Sequence, residues 1–148
     1  MKKVIIVLTM LFTIGIVLLS GCTNTSVDVY DDDNFHNQWI IPAVTNVLDS
    51  GEEAIEAYEN EDWERFRIAC ENLEENTLPL LDEIKQYSVS TAYKTIWTEF
   101  NSALEEFEKG SNIGKGKTED TVEKAYEYLV SGNNRCKTVL ELLKEMDE

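Results

Sequence analysis

Four stretches of the chain place apolar side chains three and four residues apart, the spacing that puts them on one face of an α-helix. The first runs Ile41, Val44, Leu48, Gly51, Ile55, Tyr58. The second runs Trp63, Phe66, Cys70, Leu73, Thr77, Leu80, Ile84, Tyr87, and the third Val89, Tyr93, Ile96, Phe100, Ala103, Phe107. The fourth runs Val122, Ala125, Leu129, Gly132, Cys136, Val139, Leu143, Met146. No strand-like alternation interrupts them, and Pro42 and Pro79 are the only prolines. A single apolar stripe has to be covered by neighbouring helices. The pattern therefore predicts an all-α domain over residues 34–148, an up-down-up-down four-helix bundle with short loops.

The breaks between seams fit that topology. Asn60-Glu61-Asp62 is a polar turn, Ser88 or Ser90 offers a cap for the third helix, and Gly110 to Gly116 reads as a loop. Thr118 is a suitable N-cap for the fourth helix, with Glu119 and Asp120 at its positive end. Pro79 removes a backbone donor inside the second seam, and Gly132-Asn133-Asn134 could interrupt the fourth. The apolar phase continues across both, so both helices are expected to be continuous. Short strings also match at offsets of 49 and 56 residues, Ala54–Glu59 with Ala103–Glu108 and Ala69–Leu73 with Ala125–Leu129. Two helical hairpins in tandem would give this, as would the composition shared by amphipathic helices. Ahead of the seams, Thr23 to Asp33 is polar, lacks a period and is expected to be a flexible tether.

The N-terminus has a different character. Lys2 and Lys3 precede an uncharged run from Val4 to Leu19, the order of basic and apolar regions in a secretory signal. As a helix the run is about 24 Å long, short of the ~30 Å hydrocarbon core. It closes on Leu19-Ser20-Gly21-Cys22, which resembles the lipobox of prokaryotic lipoprotein precursors. The resemblance covers the first 22 residues and implies cleavage before Cys22 and a thioether-linked diacylglycerol on its sulfur. Two acyl chains anchor a protein stably where one does not. The expected organisation is a signal peptide over 1–21, a lipidated Cys22 with tether over 22–33, and the helical domain over 34–148. The expected location is the cell membrane, outside the cytoplasm, with the membrane reached through the Cys22 lipid.

Charge narrows the partners. The full chain carries −16, and loss of Lys2 and Lys3 with the signal segment deepens this to −18. Nucleic acid, which requires clustered Lys and Arg, is excluded as an expectation. An anionic bilayer would also repel the domain. A partner would be cationic or would dock through an apolar patch, although solubility alone accounts for much of such a charge.

Candidate chemistry is sparse. His36 is the single histidine and has no second ligand close by in sequence, so neither a zinc site nor a His-dependent nucleophile is expected. His36 is read as a surface residue at a helix start. Asp31-Asp32-Asp33 lacks the spacing of a calcium loop. Gly116-Lys117-Thr118 imitates the end of a phosphate-binding loop, but Ser111 stands where the first glycine is needed and no strand precedes it. The glutamate clusters fall on outward faces of the seams. Trp39, Trp97 and Tyr128 lie beside their seams. They either widen the buried stripe or, exposed together, form a candidate partner surface for a protein or small-molecule ligand. Cys70 and Cys136 are expected as buried free thiols, because the second and fourth helices stand diagonally in the bundle and the two sulfurs at different heights. No cofactor or metal is expected. The favoured function is non-catalytic binding at the cell envelope, the alternatives being a structural or spacer lipoprotein or, less favoured, an enzyme.

Overall fold

The computed structural model describes residues 30–116 and 119–148, without side-chain detail at 119 and 120. Cys22 and the Thr118 cap both lie outside the described residues. The chain enters through a helical turn, Asp32–Asn34, and a π-helical segment, Phe35–Ile40, that lead directly into α1, Ile41–Glu59. The remaining helices are α2, Trp63–Ile84, α3, Lys94–Gly114, and α4, Glu119–Met146. Helix α1 packs on α2 and α4, and α3 packs on the same two, so α2 and α4 stand at opposite corners. This is the all-α bundle that the four seams predict.

Each connection has a local cause. Helix α1 ends with Glu61 in the left-handed region at φ 56°. The Glu61 N–H donates to the Tyr58 carbonyl at 2.9 Å and the Asp62 N–H to that of Ala57 at 3.0 Å, the paired bonds of a Schellman ending. Asp62 then caps α2, its carboxylate accepting the Arg65 N–H at 3.1 Å. Helix α2 continues through Pro79 as expected. The ring is exposed, and so is Glu75, whose carbonyl loses its donor there and can turn to water. Pro42 sits in the first turn of α1, so its missing N–H falls at the junction with the wider turns of the π segment.

Several boundaries differ from the sequence reading. Asp31–Asp33, expected as the end of the tether, are instead held against the connection between α2 and α3. The Asp31 N–H donates to the Ser88 carbonyl at 2.9 Å, and an Asp32 carboxylate oxygen accepts the Ser90 N–H at 2.9 Å. Ser90 thus contributes its backbone to this lock, and α3 begins at Lys94 after a turn, with Tyr93 at the cap position and no capping side chain. The loop expected over Gly110–Gly116 starts late, because α3 runs on to Gly114. The glycines there serve close packing. A Cβ at Gly110 would lie 3.0 Å from Leu129, and one at Gly114 would lie 2.5 Å from the Cys70 sulfur.

The core is one cluster drawn from all four helices, with Phe35, Phe66, Phe100 and Phe107 among its largest fully buried side chains. The α2, α3 and α4 seams are inside except at their ends, where Trp63 and Met146 are exposed. The α1 seam is rotated. Its buried face is Ala43, Val44, Val47, Gly51, Ala54 and Ala57, while Leu48, Ile55 and Tyr58 flank it and Ile41 is exposed. Small side chains face inward because Phe107 of α3 fills the centre. One edge of its ring lies against both Gly51 of α1 and Gly132 of α4. Of the strings that match within the sequence, Ala54 and Ala103, Ala69 and Ala125, and Leu73 and Leu129 are all inside, whereas Ala57 and Glu106, Tyr58 and Phe107, and Cys70 and Tyr126 differ in burial.

Cys70 and Cys136 are buried and unbridged. Desolvation pushes both thiols up to about 12. Among the described residues no helix is long and apolar enough to cross a membrane.

Candidate functional site

The two ends of the bundle differ. At the end where the chain enters, aromatic rings close the core. Phe35 stacks on Trp39 at 5.7 Å between centroids and meets Tyr87 and Tyr93 edge-on at 5.5 and 6.1 Å. Trp39 also meets Phe100 at 5.8 Å. Both indoles on this end have their N–H groups satisfied. Trp39 donates to the Glu83 carboxylate at 2.8 Å and Trp97 to the Ile84 carbonyl at 2.9 Å. Buried amphipathic rings need such a partner at their polar edge. His36 is not a free surface residue: its Nδ1 is 2.9 Å from the Tyr93 hydroxyl and its Nε2 3.6 Å from Asp147, which ties the C-terminal end of α4 to this network. Burial holds the Tyr87 and Tyr93 phenols above their ordinary range, with nearby carboxylates acting in the same direction. A surface groove of about 420 Å³ beside Trp39 is bounded by Asp31, Asn34, Glu83, Gln86 and Tyr87.

The three residues singled out from the sequence are therefore not one patch. Trp39 and Trp97 are half-buried and packed on the core near the entering end. Tyr128, also half-buried, belongs to the opposite half of α4, where its neighbour Leu129 meets Gly110. In the antiparallel pairing of α3 with α4, that is roughly 20 Å along the bundle from the level of Trp97.

The opposite end carries a different aromatic group, formed where α1 turns into α2 and α4 begins. Tyr58 and Tyr126 stack face to face, 4.2 Å between centroids. Trp63 and Phe66 each meet Tyr58 edge-on at 5.8 Å. The Tyr126 hydroxyl donates to Glu59 at 3.0 Å. That bond, with burial and the Glu59 charge behind it, holds the Tyr126 phenol above its ordinary range. Trp63 is 53 % exposed, the largest exposure among the exposed large apolar residues. Its 3-4 spacing points to the core, but it is the first residue of α2, at the rim of the bundle. Sequence reasoning placed Trp63 and Tyr58 on core-facing seams and missed the group they form with Tyr126. The available signal was a tryptophan directly after the Asp62 cap, a position at the rim of any bundle.

Charge surrounds this end. From Glu52 to Arg67 the chain has seven carboxylates and two guanidiniums. Arg65 reaches Glu56 at 3.2 Å and Glu53 at 3.8 Å, and Arg67 pairs with Glu64 at 2.8 Å and with Glu71. Glu59, Glu61 and Asp62 are in no ion pair with a described residue. Further along, three half-buried carboxylates are matched. Arg135 bridges Glu99 at 2.6 Å and Glu106 at 3.1 Å, and Lys115 meets Glu74. Both Glu partners hold the Arg135 guanidinium above its ordinary range. Glu106 Oε2 and Asn133 Oδ1 are buried without a hydrogen-bond partner in the described structure. They face different ways, Glu106 toward Arg135 and Asn133 toward Gly51 of α1, and so form no common site. No group of three or more His, Cys, Asp and Glu side chains among the described residues is arranged to hold a metal ion.

Comparison of the chain with protein-family models, with characterised proteins and with solved structures finds no match.

Proposed function

We propose that the protein is a lipid-anchored, extracytoplasmic helical module that binds a partner at the cell envelope and catalyses no reaction. One observation carries the binding part of this reading. Of three tryptophans, two are packed with their N–H groups satisfied, and the third, Trp63, is presented with half its surface open at the end of the bundle away from the entering chain. An exposed tryptophan in an aromatic group is the residue type that dominates binding surfaces. The lipid part rests on Leu19-Ser20-Gly21-Cys22 at the end of an uncharged run. A lipid on Cys22 would tether the domain at its entering end. Helix α1 then spaces Trp63 about 28 Å further from the bilayer. For the non-catalytic part, the partly buried Glu74, Glu99 and Glu106 are each paired with a cation.

Two measurements test the reading. Cys22→Ser should abolish fatty-acid labelling of the chain, and persistent labelling would refute the anchor. Affinity capture from envelope extract with the wild-type chain should retain a saturable partner. Failure to retain one, in an envelope whose integrity depends on the protein's presence, would favour the spacer alternative.

A further inference from the structure

We propose that the Trp63–Tyr58–Tyr126 face docks an arginine- or lysine-bearing segment of a second envelope protein, with the cation seated on the open face of the Trp63 indole. The inference rests on the partner-binding reading above and assigns it a surface and a partner chemistry.

Three independent observations converge. The first is the ring itself. Trp63 is half exposed, and no described residue accepts from its indole N–H, in contrast to Trp39 and Trp97. The second is its support. Trp63 is braced edge-on by Tyr58, Tyr58 is stacked on Tyr126, and Tyr126 is hydrogen-bonded to Glu59. A side chain fixed in this way loses little freedom when a partner arrives. The third is charge. Glu59 touches the rings through Tyr126, and Glu61 and the capping Asp62 immediately precede Trp63; none of the three has an ion-pair partner among the described residues, while the two nearby arginines are engaged by Glu53, Glu56, Glu64 and Glu71. Tryptophan is the best of the aromatic faces for a cation, and carboxylates beside it add Coulomb attraction that an uncharged ligand cannot use. An anionic bilayer is excluded as occupant by the same carboxylates.

The other grooves are weaker. In the one beside Trp39, Asn34 is bonded to Asp31 and the Trp39 N–H to Glu83, and in the one between α2 and α3 the lysines Lys85 and Lys109 offset two of the three carboxylates Asp82, Glu105 and Glu108.

The test uses the full chain in neutral detergent, labelled with 5-fluorotryptophan, whose three ¹⁹F resonances are assigned by single Trp→Phe variants. The probe is an acetylated, amidated Gly-Arg-Gly-Arg-Gly peptide, and the control replaces both arginines by uncharged citrulline. The Trp63 resonance should move saturably with the arginine peptide while those of Trp39 and Trp97 hold still, and the citrulline peptide should move none. By calorimetry, Trp63→Ala should weaken binding about five- to thirtyfold with the helical signal unchanged. Glu59→Gln should weaken it in the same direction. A Trp63 resonance that stays fixed at millimolar peptide, equal binding by Trp63→Ala, or an equal response to citrulline overturns the proposal. So does a Trp63 shift produced by phosphatidylcholine vesicles and not by the peptide, which would assign the face to lipid headgroups. If Trp63→Ala still captures the envelope partner of the wild type, the module binds through another face. If neither form captures anything and the peptide is silent, the partner-binding reading fails with it.

Discussion

Gly51→Ala is an exchange that helix propensity favours and the packing of this bundle should forbid. Alanine in a helix interior is better than glycine by about 0.8–1 kcal/mol. At Gly51, however, the new Cβ would lie 2.8 and 2.9 Å from two carbons of the Phe107 ring. Carbon atoms in contact sit about 3.5–4.0 Å apart, so the ring would have to retreat by roughly 0.7–1 Å. Gly132 of α4 meets the same edge of the ring, where a Cβ would be 2.9 and 3.0 Å away. Overpacking of this kind costs about 1–3 kcal/mol, and for a ring fully buried against both helices the upper half of that range applies. The net expectation for Gly51→Ala is a loss of about 1–2 kcal/mol. The decisive control is the same substitution in a Phe107→Leu background. With the ring gone, the propensity term is all that remains, and Gly51→Ala should stabilise by up to about 1 kcal/mol. The two backgrounds should thus differ in sign, with a coupling of about 2 kcal/mol. Urea unfolding of residues 30–148, followed by far-ultraviolet circular dichroism, measures both provided the m-value is constant. If Gly51→Ala stabilises equally in both backgrounds, the wedge is not held between the two helices and the account of the α1 face is wrong.

Further expectations are independent of that wedge. Cys70 and Cys136 should be inert to a thiol reagent in the folded chain and both reactive on unfolding without reductant; a bridge seen by mass would contradict the structure. Their raised folded pKa values mean that the unfolded state loses thiol protons first, so their contribution to stability is full below about pH 8.5 and declines as pH rises toward 12. Each thiol adds at most about 1.4 kcal/mol per pH unit to this slope, and replacing both by alanine should flatten it near about pH 9, where phenols of ordinary pKa about 10 have scarcely begun to ionise. Glu61→Gly should stabilise by about 0.5–1 kcal/mol, because glycine adopts the left-handed conformation at the end of α1 without the clash a Cβ makes; a neutral or negative result in thermal unfolding would deny the strain. Residues 30–148 should be more stable than 34–148 by about 1–2 kcal/mol, since the shorter chain loses the Asp31–Ser88 and Asp32–Ser90 bonds; equal urea midpoints would show that this lock contributes nothing.

Periodicity made the helices of this chain legible. The spacing of Phe66, Cys70, Leu73, Thr77 and Ile84, and of Ala125, Leu129, Cys136, Val139 and Leu143, names residues that are all buried. Phase carried across Pro79 and Gly132 correctly, because an apolar stripe that resumes in register is worth more to the fold than one lost bond or one glycine. Thr77, a polar residue inside a seam, satisfies its hydroxyl on the Leu73 carbonyl at 2.6 Å, which is why it does not break the stripe. The diagonal placement of α2 and α4 followed from the helix order, and the unpaired thiols accord with it.

The rest depended on contacts between residues far apart in sequence. Gly110 and Gly114 have the composition of a loop, yet their lack of a side chain serves Leu129 and Cys70 on other helices, and only those neighbours reveal it. On α1, choosing the larger residues as the interior face rotated the stripe, because the space at the centre is filled by Phe107 from α3 and leaves room only for alanine, valine and glycine. Asp31–Asp33 look like tether until Ser88 and Ser90 are seen to bind them. Spacing put Trp63 on a seam and Trp39 and Trp97 beside theirs, the reverse of which rings are packed. Their separation into two packed rings and one open ring depends on where each helix starts and which helix stands opposite. Spacing along one chain thus determined which segments are helical and which residues of α2, α3 and α4 face inward, since hydrophobic burial acts on each helix face in turn. The tertiary structure alone decided how closely the helices approach, where their ends lie, and which aromatic group is left facing water.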